Sequence, residues 1–215
     1  DLSHIYTPKL ETFHKETLSV LNLNKIGFIN SEIYRHIEAD ELVTVDHPYY
    51  FSGTILEQNQ FLPEWVLEWI RNTYIKFAKE CEISDKVFID RKDSKNLHNQ
   101  IINNEEVLNY FSKKGFKTYR LEKLNFFEKI YLFKNAKIIA GVHGAGFANL
   151  VFSQPSTQII EIKTKNNPNK IYEKISNFAN LNYKLLEVPL MDNQDKTQGD
   201  IFLDNSALER MSKYL

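Results

Sequence analysis

The chain has 215 residues, 42% of them hydrophobic and 13% aromatic, enough to bury one large core or two small ones. Its 27 Lys+Arg against 28 Asp+Glu give a net charge of −1, so no long-range field draws it to nucleic acid or to an anionic membrane, and an anionic ligand has to be held by local geometry. The single cysteine, Cys81, excludes an internal disulfide scaffold and favours a reducing compartment; no apolar run reaches membrane-spanning length and residue 1 does not begin a signal peptide, so the expected location is the cytoplasm, at most peripheral to a membrane.

In chain order, "HIYTP" leads into the helical pattern "KLETFHKETLSVLN", and three short strand-like runs follow: "KIGFI", "EIYRHI" and "DELVTVD". After a loop containing "PYYFSGT", "LPEWVLEWIRNTYIKFAKECE" predicts a long helix. Pro63 stands at its first turn, and Trp65, Trp69, Ile70, Tyr74, Phe77 and Cys81 recur at helical spacing. On that face Cys81 reads as a small core residue, and Trp65 and Trp69 as core or interface residues.

A regular alternation then begins. Strand "KVFID", a polar loop and helix "NEEVLNYFSKKG" are followed by strand "KTYRL", helix "NFFEKIYLFKN" and strand "KIIAGV". Gly115 is positioned to stop the first of these helices. A helix starting at Ala145, strand "TQIIEIK", helix "KIYEKISNFANL" and strand "YKLLEV" continue the pattern, and a last helix follows the polar loop "MDNQDKTQGD". Short β-rich runs alternating with amphipathic helices predict a parallel sheet wrapped by helices, an α/β domain of Rossmann type. The expected organisation is a partial N-terminal α/β portion with a linker helix over 1–83, and the sheet domain with its C-terminal helix over 84–215.

In such a sheet, ligands bind beyond the carboxyl ends of the strands. Arg91, Lys92 and Ser94 follow "KVFID"; His143 follows "KIIAGV"; Glu161 and Lys163 stand near the end of "TQIIEIK". A helix start exposes free backbone N–H groups and the positive end of a dipole, so the helix from Ala145 suits a phosphate. Gly144 and Gly146 leave room for an anion to approach the backbone. His143 offers a ring N–H, Arg91 a bidentate fork, and Glu161 an acceptor for ribose hydroxyls. Together they read as a clamp for a nucleotide diphosphate. Taken singly, each has an ordinary alternative: tight strand–helix packing for the glycines, a hydrogen-bonded core histidine, a surface arginine, a solvated glutamate.

"HGAGFANLVF", preceded by "LNFFEKIYLFKNAKIIAGV" and followed by "STQIIEI", resembles the glycosyltransferase family 61 domain. Arg91 and Ser94 match that family's arginine element. "IINNEEV" matches its "I-x-N-E" element imperfectly, with Asn103 on the asparagine and Asn104 in place of glutamate. His143, Gly144, Ala145, Gly146, Asn149, Phe152 and Glu161 match the "HGAG" element and the strand after it. The resemblance implies a GT-B-like fold with a reduced N-terminal portion. It further implies an inverting transfer from a nucleotide sugar, a UDP-sugar being the expected donor, to a glycan or glycoconjugate acceptor. Arg91, Ser94, Asn103, His143, Gly144, Ala145, Gly146, Asn149 and Glu161 would hold the donor, and Arg91 and His143 would stabilise the leaving diphosphate.

No Asp-x-Asp metal motif occurs in the sequence, so no cofactor or metal is expected beyond the donor. His4, His14, His36 and His98 show no metal-ligand spacing. The transfer needs a general base. Asp46 and His47 are the candidates in the sequence, and a turn before Pro48 accounts for them better. Family members carry an earlier segment that this chain lacks, so it reads as a fragment or as a transferase with a reduced acceptor side, associated with other domains of a larger chain. Two other functions stay open: a non-catalytic sugar-nucleotide-binding or scaffolding module, and a dinucleotide-dependent oxidoreductase. The missing Gly-x-Gly-x-x-Gly after the first strand of the sheet domain argues against the latter.

Overall fold

The computed structural model describes residues 2–45, 61–92, 99–189, 191 and 199–215. The chain divides into two compact units, residues 1–50 and 51–215.

In the first unit, β1 (His4–Thr7) and β2 (Gly27–Asn30) form a two-stranded parallel sheet, connected through α1 (Thr12–Val20). The runs "EIYRHI" and "DELVTVD", expected as strands, form none over residues 32–45. A strand needs a neighbour to take its backbone N–H and C=O groups, and among the described residues no strand pairs with this segment. Ile33, Leu42, Val43 and Val45 are 69%, 68%, 71% and 92% exposed, as befits apolar alternation without a sheet to join.

The second unit opens with α2 (Glu64–Tyr74). The expected stripe of Trp65 and Trp69 is not its packed face: they are 60% and 48% exposed, whereas Leu67 and Tyr74 are buried. The inward face follows Leu67, Ile70, Arg71 and Tyr74, at i, i+3, i+4 and i+7. A charged residue in the middle of that face hid it from a hydrophobicity pattern. The helix also ends earlier than expected. Ile75–Phe77 tighten into a 3-10 turn, and Cys81 lies beyond it in irregular chain, half-buried with its Sγ 3.7 Å from the Glu128 carbonyl. The compact unit thus takes in the helix that the sequence pattern assigned to a linker.

Five parallel strands follow: β3 (Lys86–Ile89), β4 (Lys117–Tyr119), β5 (Ile138–Val142), β6 (Gln158–Thr164) and β7 (Asn182–Val188). They lie in the order β4-β3-β5-β6-β7. The unit's first strand is therefore flanked by its second and third, a doubly wound order whose direction reverses between β3 and β5. One face carries Phe88, Ala140, Val142, Ile160, Ile162, Leu186 and Val188. It is covered by Val107 and Phe111 of α3 (Asn104–Lys113) and by Ala207 and Met211 of α6 (Asn205–Ser212). Successive side chains alternate across the sheet, so the buried Val87, Ile89, Ile139, Ile159 and Glu161 face the other side.

The connections on that side are α4 (Phe126–Asn135), a 3-10 helix over Ala145–Phe152 and α5 (Ile171–Phe178). Local chemistry sets several of these boundaries. Asn125 and Glu128 form a capping box at the start of α4. Gly115, at φ +82°, turns the chain out of α3 in a conformation that side chains with a β-carbon rarely adopt.

Candidate functional site

The direction reversal brings the ends of β3 and β5 side by side, since Ile89 pairs with Gly141. Two residues beyond each pair stand Arg91 and His143. Nη1 of Arg91 donates to the His143 carbonyl at 2.6 Å. The guanidinium is partly buried, Nε is enclosed without a hydrogen-bond partner, and no carboxylate pairs with the group among the described residues. Burial lowers the Arg91 pKa from its ordinary value, with smaller raising influences from Tyr172 and Glu122. Even so, an arginine stays charged in a protein, so this corner holds a half-desolvated cation.

The main chain at His143 extends the β5–β6 ladder by one step, its N–H donating to the Ile162 carbonyl at 2.8 Å. The ring is buried. Nδ1 is bonded to Oε1 of Glu161, whose Oε2 accepts from the Tyr183 hydroxyl. Tyr172 of α5 lies against the imidazole at 4.9 Å between ring centroids and against Phe147 at 5.6 Å. Burial, and secondarily the Glu161 charge, push both phenols well above the ordinary tyrosine range.

Glu161 is 2% exposed, so it is not the solvated residue that alternation also allowed, and each of its oxygens already has a partner within the protein. The contact to ribose hydroxyls expected of it is not what its side chain makes here. It lies behind His143 instead. A buried carboxylate is tolerated only when its hydrogen bonds are met, and a ring nitrogen of His143 and the Tyr183 phenol meet them. Lys163, two residues on, turns its Nζ to the Asn169 carbonyl at 2.7 Å and does not join the group.

The glycines have specific reasons. Gly144 is extended at φ 171°, so conformational freedom is not at issue. A β-carbon there would stand 1.3 Å from Nη1 of Arg91. At Gly146 a β-carbon would come within 2.6 Å of Cδ1 of Leu121. The space expected to admit an anion is thus filled by a guanidinium at one glycine and by a leucine at the other.

The helix expected from Ala145 is a 3-10 helix, its first bond running from Phe147 N–H to the Gly144 carbonyl at 2.9 Å. Its far end is held by Arg71 of α2, which donates to the carbonyls of Val151 and Ser153, the latter at 2.8 Å.

Other expected ligands face elsewhere. The Asn149 amide donates to the Gly146 carbonyl at 2.8 Å, inside the 3-10 helix. Asn103 clamps the segment before α6, its amide group donating to the Leu203 carbonyl at 2.9 Å and accepting from the Leu203 N–H at 3.1 Å. Ser94, Asp46 and His47 lie outside the described residues. Tyr183, Tyr172, Asp90 and Arg120 were not singled out in the sequence. Asp90 is buried at the end of β3 and paired with Arg120 at 2.9 Å. The one local signal for it was an acid directly abutting a buried strand. Among the described residues no three His, Cys, Asp or Glu side chains are grouped so as to hold a metal ion, and no helix is long and apolar enough to cross a membrane.

The doubly wound parallel sheet is Rossmann-like, a fold in which ligands bind at the direction reversal, and Arg91 and His143 stand there. The model of the family described as Glycosyltransferase 61 matches residues 2–160. The chain belongs to that family and is by that membership a glycosyltransferase, acting between a donor and an acceptor. No curated protein matches the chain.

Proposed function

We propose that the chain transfers a sugar from a nucleotide-sugar donor, a UDP-sugar, to a glycan or glycoconjugate acceptor, with inversion and without a metal ion, in a GT-B arrangement with further domains of a larger chain. The supporting observation is Arg91: a partly buried cation with an enclosed, unpartnered Nε and no carboxylate pair among the described residues. Such a group favours an anion beside it. A diphosphate between Arg91 and the ring of His143 would meet that need, and the same two groups would take up the charge that grows on the diphosphate as the glycosidic bond breaks. Gly144 seats the Arg91 guanidinium against the main chain, and Ser94 is the remaining donor-side candidate, the side chains of Asn103 and Asn149 being bonded within the fold. Asp46 is the candidate for the base that removes the acceptor proton. The proposed location is the cytoplasm, at most peripheral to a membrane.

A thermal-shift panel of nucleotides and nucleotide sugars in EDTA tests this. A ligand at about 100 times its Kd adds roughly 2.7 kcal/mol, and UDP or a UDP-sugar should give the largest shift. Arg91→Ala should weaken binding about tenfold to a hundredfold. His143→Ala should cost less in binding and more in turnover. A shift seen only with added magnesium or manganese would remove the metal-free reading. Intact affinity in a destabilised His143→Ala protein would make the histidine a packing residue.

A further inference from the structure

The matched family stretch ends one residue before Glu161, so the residues behind His143 have no role from that match. His143, Glu161 and Tyr183 belong to three adjacent strands, β5, β6 and β7. The register pairs Gly141 with Glu161 and Ile159 with Tyr183. Paired residues of neighbouring strands point to the same face, and so do residues two apart along a strand. All three side chains therefore stand on one face, in a diagonal from the β7 edge of the sheet to the site at the end of β5. Each link is closed: the Tyr183 hydroxyl donates to Oε2 of Glu161, and Oε1 of Glu161 is bonded to Nδ1 of His143.

We propose that Tyr183 is a positioning residue for His143: its hydroxyl pins one oxygen of Glu161, the other oxygen keeps a proton on Nδ1, and Nε2 is left to take a second proton from solvent when a diphosphate binds and to donate a hydrogen bond to it. A carboxylate is an acceptor only, so a Glu161 that accepts from a phenol on one oxygen accepts from Nδ1–H on the other. The partner of one ring nitrogen sets the role of the other. The phenol stays a donor because burial and the adjacent Glu161 charge oppose its ionisation, with smaller contributions from Glu173 and Glu187. Tyr172 and Arg91 leave Nδ1 to Glu161: Tyr172 lies tilted against the ring, and Arg91 bonds the His143 main chain. The benefit of Nε2 to a diphosphate rests on the proposed function. The effect of Tyr183 on the ring does not.

The test is nitrogen NMR of histidine-labelled full-length chain, the His143 signals being assigned by their loss in His143→Ala. Without ligand, the wild-type ring should show a proton held on Nδ1. Tyr183→Phe, which keeps the ring and removes only the hydroxyl, should shift the ring nitrogens toward a mixture of tautomers and weaken UDP binding about threefold to tenfold. Glu161→Gln probes the same chain from its middle and should disturb the tautomer more. The double variant should lose little beyond Glu161→Gln alone, because the links act in series. Unchanged His143 nitrogen shifts in ligand-free Tyr183→Phe, or additive losses in the double variant, would overturn the proposal. Wild-type His143 signals that ignore saturating UDP would overturn the diphosphate reading instead, with the ligand-free comparison still deciding the role of Tyr183.

Discussion

Arg91 occupies the space that a side chain at residue 144 would fill. Its Nη1 lies 1.3 Å from the position of a β-carbon on Gly144 while donating to the neighbouring His143 carbonyl at 2.6 Å. The glycine and the arginine are one device, although 53 positions separate residues 91 and 144 in sequence.

The first prediction follows from that contact. In Gly144→Ala the backbone needs no change, because φ is extended. The displaced group is the far end of a flexible side chain, so the fold should lose less than about 1 kcal/mol. Arg91 has to leave, and nucleotide affinity should fall about tenfold or more, close to the loss in Arg91→Ala. Calorimetric titration beside a melting curve checks it, and affinity equal to wild type would show that Arg91 can serve from elsewhere.

Gly146→Ala should behave in the opposite way. The atom in its path, Cδ1 of Leu121 at 2.6 Å, belongs to a side chain only 6% exposed. Overpacking a buried site costs about 1–3 kcal/mol. The denaturation midpoint should drop while the folded fraction keeps most of its nucleotide affinity.

Arg71 should matter for stability although it stands among apolar neighbours. Its bonds to the Val151 and Ser153 carbonyls satisfy main-chain acceptors at the end of the 3-10 helix, where no intrahelical donor reaches. Arg71→Ala should cost about 2–3 kcal/mol, read as a lower midpoint in urea. A midpoint equal to wild type would mean that water replaces the guanidinium without loss.

Stability should also fall in alkali. The folded state raises the pKa of Tyr172 and Tyr183 above the ordinary value of 10.0. A group raised on folding contributes its full share below its unfolded pKa, and that share is lost as pH climbs above it. The melting temperature should therefore hold to about pH 10 and decline beyond, because unfolding lets the phenols ionise. Tyr183→Phe should show a shallower decline over the same range, and identical slopes would refute the assignment to Tyr183.

Much of the fold was legible in the residue order because its causes are local. Strand and helix periods, the Asn125–Glu128 capping box and the left-handed turn at Gly115 depend on residues a few positions apart, and each strand and helix expected from Lys86 onward appears where its pattern lies, the one from Ala145 as a 3-10 helix. The polar strand ends were legible for the same reason, so Arg91 and His143 could be paired as candidates before their contact was known.

What the folded chain alone decided involves residues far apart in sequence. The strand order puts β3 beside β5 and so gives Arg91 its histidine. Register across β5, β6 and β7 turns Glu161 from a strand-end acid into the buried link between His143 and Tyr183. Arg71 shows the limit of pattern reading. A charge on a buried face breaks the apolar stripe of α2, and only the two carbonyls it meets in the 3-10 helix explain why it is there. Local backbone preference is written in neighbouring residues, whereas a buried polar group is satisfied by whatever the sheet brings to it.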